Sequence, residues 1–122
     1  PNALLNRRLR LESVPNAMEQ ARVSAKNMLG QDQTYNSLPW FWSNQYDKRL
    51  QMLGFSADGD SQVVRGNFEE AKFAIFYLNK DKVVAVDAVN SPAEFMIGKK
   101  LYGKTVDRMN LGDLNFNLEN LI

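Results

Sequence analysis

Two apolar runs do most to narrow the fold: Phe73-Ala74-Ile75-Phe76-Tyr77-Leu78 and Val83-Val84-Ala85-Val86-Asp87-Ala88-Val89, separated by Asn79-Lys80-Asp81-Lys82. Both are rich in β-branched and aromatic residues, and the polar insert has the length of a hairpin turn. Phe73, Ile75 and Tyr77 alternate with Ala74, Phe76 and Leu78, yet both sets are apolar. A strand that is apolar on both faces needs cover on both faces. This hairpin is therefore expected at the centre of a sheet, beneath a helix or a second domain.

The remaining elements build outward from it. Leu9-Arg10-Leu11-Glu12-Ser13-Val14 alternates apolar and polar residues and predicts a short strand. Pro15 presets φ for a helix start, and Asn16-Ala17-Met18-Glu19 is an Asx version of the capping box. Met18, Ala21, Ala25, Met28 and Leu29 recur at helical spacing, with Glu19, Arg22 and Lys26 on the polar side and Gly30 as the stop. A helix over 15–29 would aim its N-terminus, with roughly half a positive charge, at whatever lies beyond the strand. Gln31–Ser37 has loop composition, Tyr46–Leu53 and Gln62–Arg65 read as strands, and Ser56–Asp60 reads as a turn. Ser91-Pro92-Ala93-Glu94 is a capping box with proline at the first helical position, opening a helix whose inner stripe is Phe95, Gly98, Leu101 and Tyr102. The tail is loop, with one helical turn at Leu118–Leu121. The expected fold is α+β: an antiparallel sheet of about four to five strands with helices packed on one side, in two layers.

What the chain lacks removes whole classes of chemistry. It has no cysteine and no histidine, so thiolate chemistry, disulfides, Cys-based metal sites and a histidine general base are excluded. The seven glycines stand apart, which leaves neither GxGxxG nor a P-loop. Asp58-Gly59-Asp60 lacks the bidentate glutamate of a calcium loop and reads as a pair of solvated turn acids. Asp87, alone in a valine-rich strand, is either a functional carboxylate or an acid with a partner, and burial favours the second. A net charge of +1 argues against a dedicated nucleic-acid binder, and no apolar run nears the roughly 18–20 residues of a membrane span. Charge is nonetheless uneven: seven basic against four acidic residues in 1–50, and eight against ten in 51–122. A modest basic face in the first half could steer an acidic partner. The chain opens on proline, and Pro1–Leu5 is too short and weakly apolar for a signal-peptide core, so it reads as part of something longer.

Leu38-Pro39-Trp40-Phe41-Trp42-Ser43-Asn44-Gln45 sets three large aromatics together before switching to amides. LRLESVPNAMEQAR (Leu9–Arg22) and LPWFWSNQYDKRL (Leu38–Leu50) together resemble the C-terminal region of the FAD-dependent ferredoxin reductases, the putidaredoxin reductase and dioxygenase reductase group. The likeness continues through FAIFYL, VVAVDAVN and Pro92–Phe95. It implies that 1–30 is the end of an FAD-binding domain and that 31–122 is the reductase C-terminal domain. Val14, Pro15 and Asn16 would then bring backbone groups and a helix N-terminus to the pyrimidine end of the isoalloxazine. Trp42 would lie beside the flavin, between it and the docked ferredoxin, a flat ring shutting out water. Arg22 and Lys26 would meet acidic residues of a [2Fe-2S] ferredoxin. Two positions depart from the pattern: WSNQ replaces the usual WSDQ at Asn44, and Gln51 stands where putidaredoxin reductase has a lysine.

The resemblance thus implies a cytoplasmic, NAD(P)H-dependent electron-transfer flavoprotein. Its cofactor would be held mainly by upstream FAD and NAD(P)H domains, and this chain alone would be catalytically silent. Two rival readings use the same residues. One is a stand-alone protein-binding module built on the Trp40-Phe41-Trp42 patch. The other is a self-associating module whose apolar sheet pairs with a second copy as a homodimer.

Overall fold

A computed structural model describes residues 2–122. They form two compact units, residues 2–41 and 42–122.

The first unit contains helix α1, Val14–Met28. Its cap is Ser13, whose hydroxyl accepts the Asn16 backbone N–H at 3.3 Å, so Val14 and Pro15 fill the first two helical positions. The Asx box expected at Asn16 does not form; that side chain is engaged elsewhere. The C-terminus closes as the sequence predicts. Gly30 adopts φ +81, its N–H reaches Asn27 O at 3.0 Å, and the Gln31 N–H reaches Lys26 O at 3.0 Å. These are the two bonds of a Schellman motif. The strand expected over Leu9–Val14 is absent. A strand is a pairing state, and the described residues ahead of Trp40 contribute only an isolated Asn2–Arg7 bridge. Alternating hydrophobicity has nothing there to pair with.

The second unit is a five-stranded antiparallel sheet in the order β1-β2-β5-β4-β3. The strands are β1 (Trp40–Gln45), β2 (Lys48–Gly54), β3 (Ser61–Asn67), β4 (Lys72–Asn79) and β5 (Lys82–Val89). As expected, the apolar hairpin is β4–β5, and β5 occupies the centre. Asn79 pairs with Lys82 across a two-residue loop in which Lys80 (φ 49) and Asp81 (φ 64) are both left-handed. That is the pattern of a type I′ turn, whose twist matches that of the strands. L-residues in this region cost roughly 1–2 kcal/mol each. Local bonds offset this: the Lys80 N–H donates to Asp60 Oδ2 at 3.0 Å, the Val106 N–H to Asp81 O at 2.9 Å, and Arg108 Nε to Asp81 Oδ1 at 2.6 Å. The strand expected over Tyr46–Leu53 begins at Lys48 instead. Tyr46, left-handed at φ 53, turns the chain between β1 and β2, and the aromatic stretch is itself β1.

One sheet face carries helix α2 (Pro92–Leu101), whose Phe95, Gly98 and Leu101 are buried as the inner stripe predicts. Tyr102 lies beyond the helix end and is half-buried. The helix starts at Ser91-Pro92, but the Ser91 side chain makes no capping bond, so that half of the expected box is missing. Beneath α2 lie Leu53, Ala74, Phe76, Val86 and Ala88, all nearly inaccessible. The opposite face presents Leu50, Met52, Ile75, Tyr77, Asp87 and Val89, which are only half-buried. A short helix, α3 (Arg108–Gly112), interrupts the tail expected to be loop, and a final 3-10 turn spans Leu118–Leu121. Asp107 caps α3, accepting the Asn110 N–H at 2.9 Å.

The tail is fastened by Arg65 on β3, which is only 8% exposed. Its guanidinium donates to the carbonyls of Leu111 (3.4 Å), Asp113, Leu114 (3.5 Å) and Phe116 (3.0 Å), and its Nε has no partner.

Gly98 sets how closely α2 approaches the sheet. A methyl group there would lie 2.7 Å from Val86 Cγ2 and 3.3 Å from Val86 Cβ. Alanine is the better helix former by about 1 kcal/mol, whereas overpacking a core costs about 1–3 kcal/mol. The steric effect wins because Val86 is a fully buried, β-branched residue in the central strand. Gly98→Ala should therefore destabilise the sheet unit by about 1–2 kcal/mol, seen as a lower denaturation midpoint in urea; an unchanged or raised midpoint would show that the helix can lift away freely.

Candidate functional site

The residues singled out from sequence fall in two places. Val14, Pro15, Asn16, Arg22 and Lys26 lie on α1, and Trp42 lies on β1.

At the start of α1, Pro15 is buried while Val14 is 57% exposed. No acidic residue occupies the first turn. The nearest preceding acid, Glu12, is held by Arg10 at 2.8 Å, on the surface. The positive end of this helix is therefore uncompensated by a carboxylate of its own, and an anion placed before it would be stabilised. Asn16 does not offer its side chain to a ligand. Its Nδ2 donates to Leu11 O at 2.7 Å, and its Oδ1 accepts from Gln20 Nε2 at 2.9 Å and from Tyr35 Oη at 2.7 Å. Beside this network is a cavity of about 430 Å³, lined by Asn2, Leu9, Leu11, Asn16, Gln20 and Tyr35 among others. Tyr35 is held above the usual phenol range, first by burial and then by the charge of Glu19. Sequence reading passed over Tyr35 because Gln31–Ser37 carries no periodicity; its partner is 19 residues away in the chain.

Farther along α1, Arg22 is exposed and Lys26 half-buried. The apolar stripe does not face inward. Met18, Ala21, Ala25, Met28 and Leu29 are all exposed, with Met28 and Leu29 86% and 79% accessible. The helix instead turns Asn16 and Asn27 toward its own unit, where Asn27 exchanges bonds with Gln33 at 2.7 and 3.0 Å.

On β1, Trp40 and Trp42 are half-buried, whereas Phe41 between them is 39% exposed. Period-2 alternation thus separates the two indoles from the phenyl ring. Asn44 is exposed and Gln51 is buried at 7%.

The acids considered from sequence are engaged within the fold. Asp60 accepts from the Lys80 N–H and from Ser61 Oγ, and these bonds hold its carboxyl below the usual range. Among the described residues, no group of three or more acidic side chains is placed to hold a metal ion. No described helix is long and apolar enough to cross a membrane. Asp87 has the partner that its burial demanded: Tyr77 Oη donates to Oδ2 at 3.0 Å. Burial pushes the Asp87 carboxyl up, only partly countered by this bond. Burial and then the carboxylate raise Tyr77 to about 12.

A carboxyl whose folded pKa exceeds its unfolded value binds more protons when folded, so it favours the fold at low pH. That contribution fades as pH rises from the unfolded value of about 3.9 through the raised native one. Asp87→Asn keeps an acceptor for Tyr77 and removes the titration. The variant should lose less stability than the parent between pH 4 and pH 7 in urea denaturation; equal losses would assign the pH dependence to other groups.

Residues 40–122 match the family described as "Reductase C-terminal". The chain is 43% identical over 117 residues to the 5,5'-dehydrodivanillate O-demethylase ferredoxin reductase subunit of Sphingobium sp., covering 94% of this chain and 28% of that protein. It is 42% identical over 121 residues to putidaredoxin reductase of Pseudomonas putida, covering 98% of this chain and 29% of that one. The crystal structure of the covalent putidaredoxin reductase–putidaredoxin complex superimposes with a TM-score of 0.87 at 41% identity, over 98% of this chain and 29% of the matched chain. The chain thus spans under a third of the length of the relatives it matches.

Proposed function

The chain belongs to the reductase C-terminal family, and from that membership we propose that it is the C-terminal part of an NAD(P)H-dependent, FAD-containing ferredoxin reductase. In this reading it encloses the flavin held by upstream domains and contributes to the surface on which a ferredoxin docks. The observation that carries the reading is the family match over 40–122, reinforced by relatives named as ferredoxin reductases along nearly the whole chain. Docking draws further support from the relative crystallised with its putidaredoxin.

The start of α1 and, taken separately, Trp42 each have features that suit an isoalloxazine. FAD, when bound, supplies hydride acceptance from the nicotinamide and onward electron delivery. The start of α1, free of first-turn acids and exposed at Val14, suits the side of that ring where negative charge develops on reduction. Its contribution comes through the backbone and the helix dipole, because the Asn16 side chain is fully engaged. Trp42, half-buried on a strand rather than on a mobile loop, offers a rigid flat surface that excludes water beside a cofactor. Arg22 and Lys26 supply positive charge for an acidic partner, with Arg22 the more accessible. The exposed apolar stripe of α1 suits a helix that packs against upstream domains.

In the intact reductase, Trp42→Ala should slow electron delivery to the ferredoxin at least tenfold more than it slows flavin reduction by the nicotinamide, measured by stopped flow; equal slowing of both steps would remove Trp42 from the transfer path. Turnover with an acidic ferredoxin should fall as salt rises past about 0.1 M, where the screening length is about 10 Å. Arg22→Gln should flatten that dependence, and a variant that keeps the parental salt response would take Arg22 out of the docking surface.

A further inference from the structure

We infer that Tyr35 is a positioning residue for the helix start that meets the flavin, acting through its hydrogen bond to the Asn16 amide. The inference rests on the reading given under Proposed function, that the start of α1 faces the isoalloxazine.

The geometry turns on one amide with three partners. Leu11 O is an acceptor only, so Nδ2 of Asn16 must face it at 2.7 Å, and Oδ1 must then face Gln20 Nε2 and Tyr35 Oη. Leu11 belongs to the lead-in, Asn16 and Gln20 to the first turns of α1, and Tyr35 to the segment beyond the helix. Between Leu11 and Asn16 the chain forms a short closed loop, shut by the amide on one side and by Ser13 Oγ accepting the Asn16 N–H on the other. That loop carries Val14 and Pro15. Leu11 and Gln20 are near neighbours in sequence and move with the helix. Tyr35 alone ties the amide to chain from beyond it. A tyrosine phenol is protonated, and therefore donating, throughout the neutral range. Electrostatic stabilisation of a developing charge depends on preorganised placement of dipoles, and this bond fixes where the helix dipole begins.

The test compares three single variants and one double variant in the intact flavoprotein, reading the flavin's two-electron potential by dye equilibration. Tyr35→Phe keeps the ring and removes the donor. It should lower the reduced-to-oxidised ratio at a fixed dye potential threefold to tenfold, about 14 to 30 mV for a two-electron couple. Val14→Asp places an anion at the exposed first helical position, where it favours the helix itself, and should lower the ratio at least tenfold. A shift with Val14→Asp but less than twofold with Tyr35→Phe would overturn the positioning role and leave the flavin-facing reading standing. No shift with Val14→Asp would overturn that reading and this inference with it. Asn16→Ala removes the hub and should reproduce the Tyr35→Phe shift, with the double variant adding nothing; additive shifts would show that Tyr35 acts by another route. A contact that only stabilised the fold would lower the melting temperature of Tyr35→Phe and leave its potential unmoved.

Discussion

The sheet unit depends on the seating of α2 against β5. Gly98 lies over Val86, and Phe95 and Leu101 close the same face around it. Because β5 is central, this one contact fixes the plane from which β2 extends on one side and β4 and β3 on the other. The chain leaving α2 then returns to the start of β5: the Val83 N–H donates to Lys104 O at 3.0 Å, and the Gly103 N–H donates to Val83 O at 2.7 Å. Helix, strand and return segment therefore hold one another. A core packed to this density transmits any change of spacing to its neighbours rather than absorbing it.

Much of this was legible in the chain, and the exceptions share a cause. The β4–β5 hairpin, the centrality of β5 and the inner stripe of α2 follow from apolar runs with a clear period, and period is local information. The β1–β2 turn was hidden because Tyr46 and Asp47 are not the Asn-Gly pair that advertises a left-handed turn. The Leu9–Val14 run has the pattern of a strand but no described neighbour with which to pair. Ser91 sits at the right spacing for a capping box, yet its ψ of 63 accompanies a side chain that makes no cap bond. Arg65 and Tyr35 could not be found from periodicity at all, since their partners lie 46 to 51 and 19 residues away.

The first unit obeys a different logic. Its helix spends its amides on its own surroundings and leaves methionine and leucine side chains in the open. An isolated domain would do the reverse, since burial of apolar surface outweighs the small net gain of a hydrogen bond. Capping, Schellman closure and the Asn16 network define this segment locally, which lets it present a shaped end without a core of its own. In the proposed function, such a segment is a well-formed piece of a larger assembly, and its local bonds determine how the charged end of α1 is offered.

The clasp around Arg65 has a consequence for how the chain tolerates substitution. Its four partners are main-chain oxygens, which stay in place whatever side chain the residue carries. The Asp81–Arg108 pair that braces the hairpin loop joins two side chains and is lost when either is replaced. Sequence drift can thus unfasten the hairpin tip at either of two positions, whereas the stretch from Leu111 to Phe116 is released from β3 through Arg65 alone among these partners.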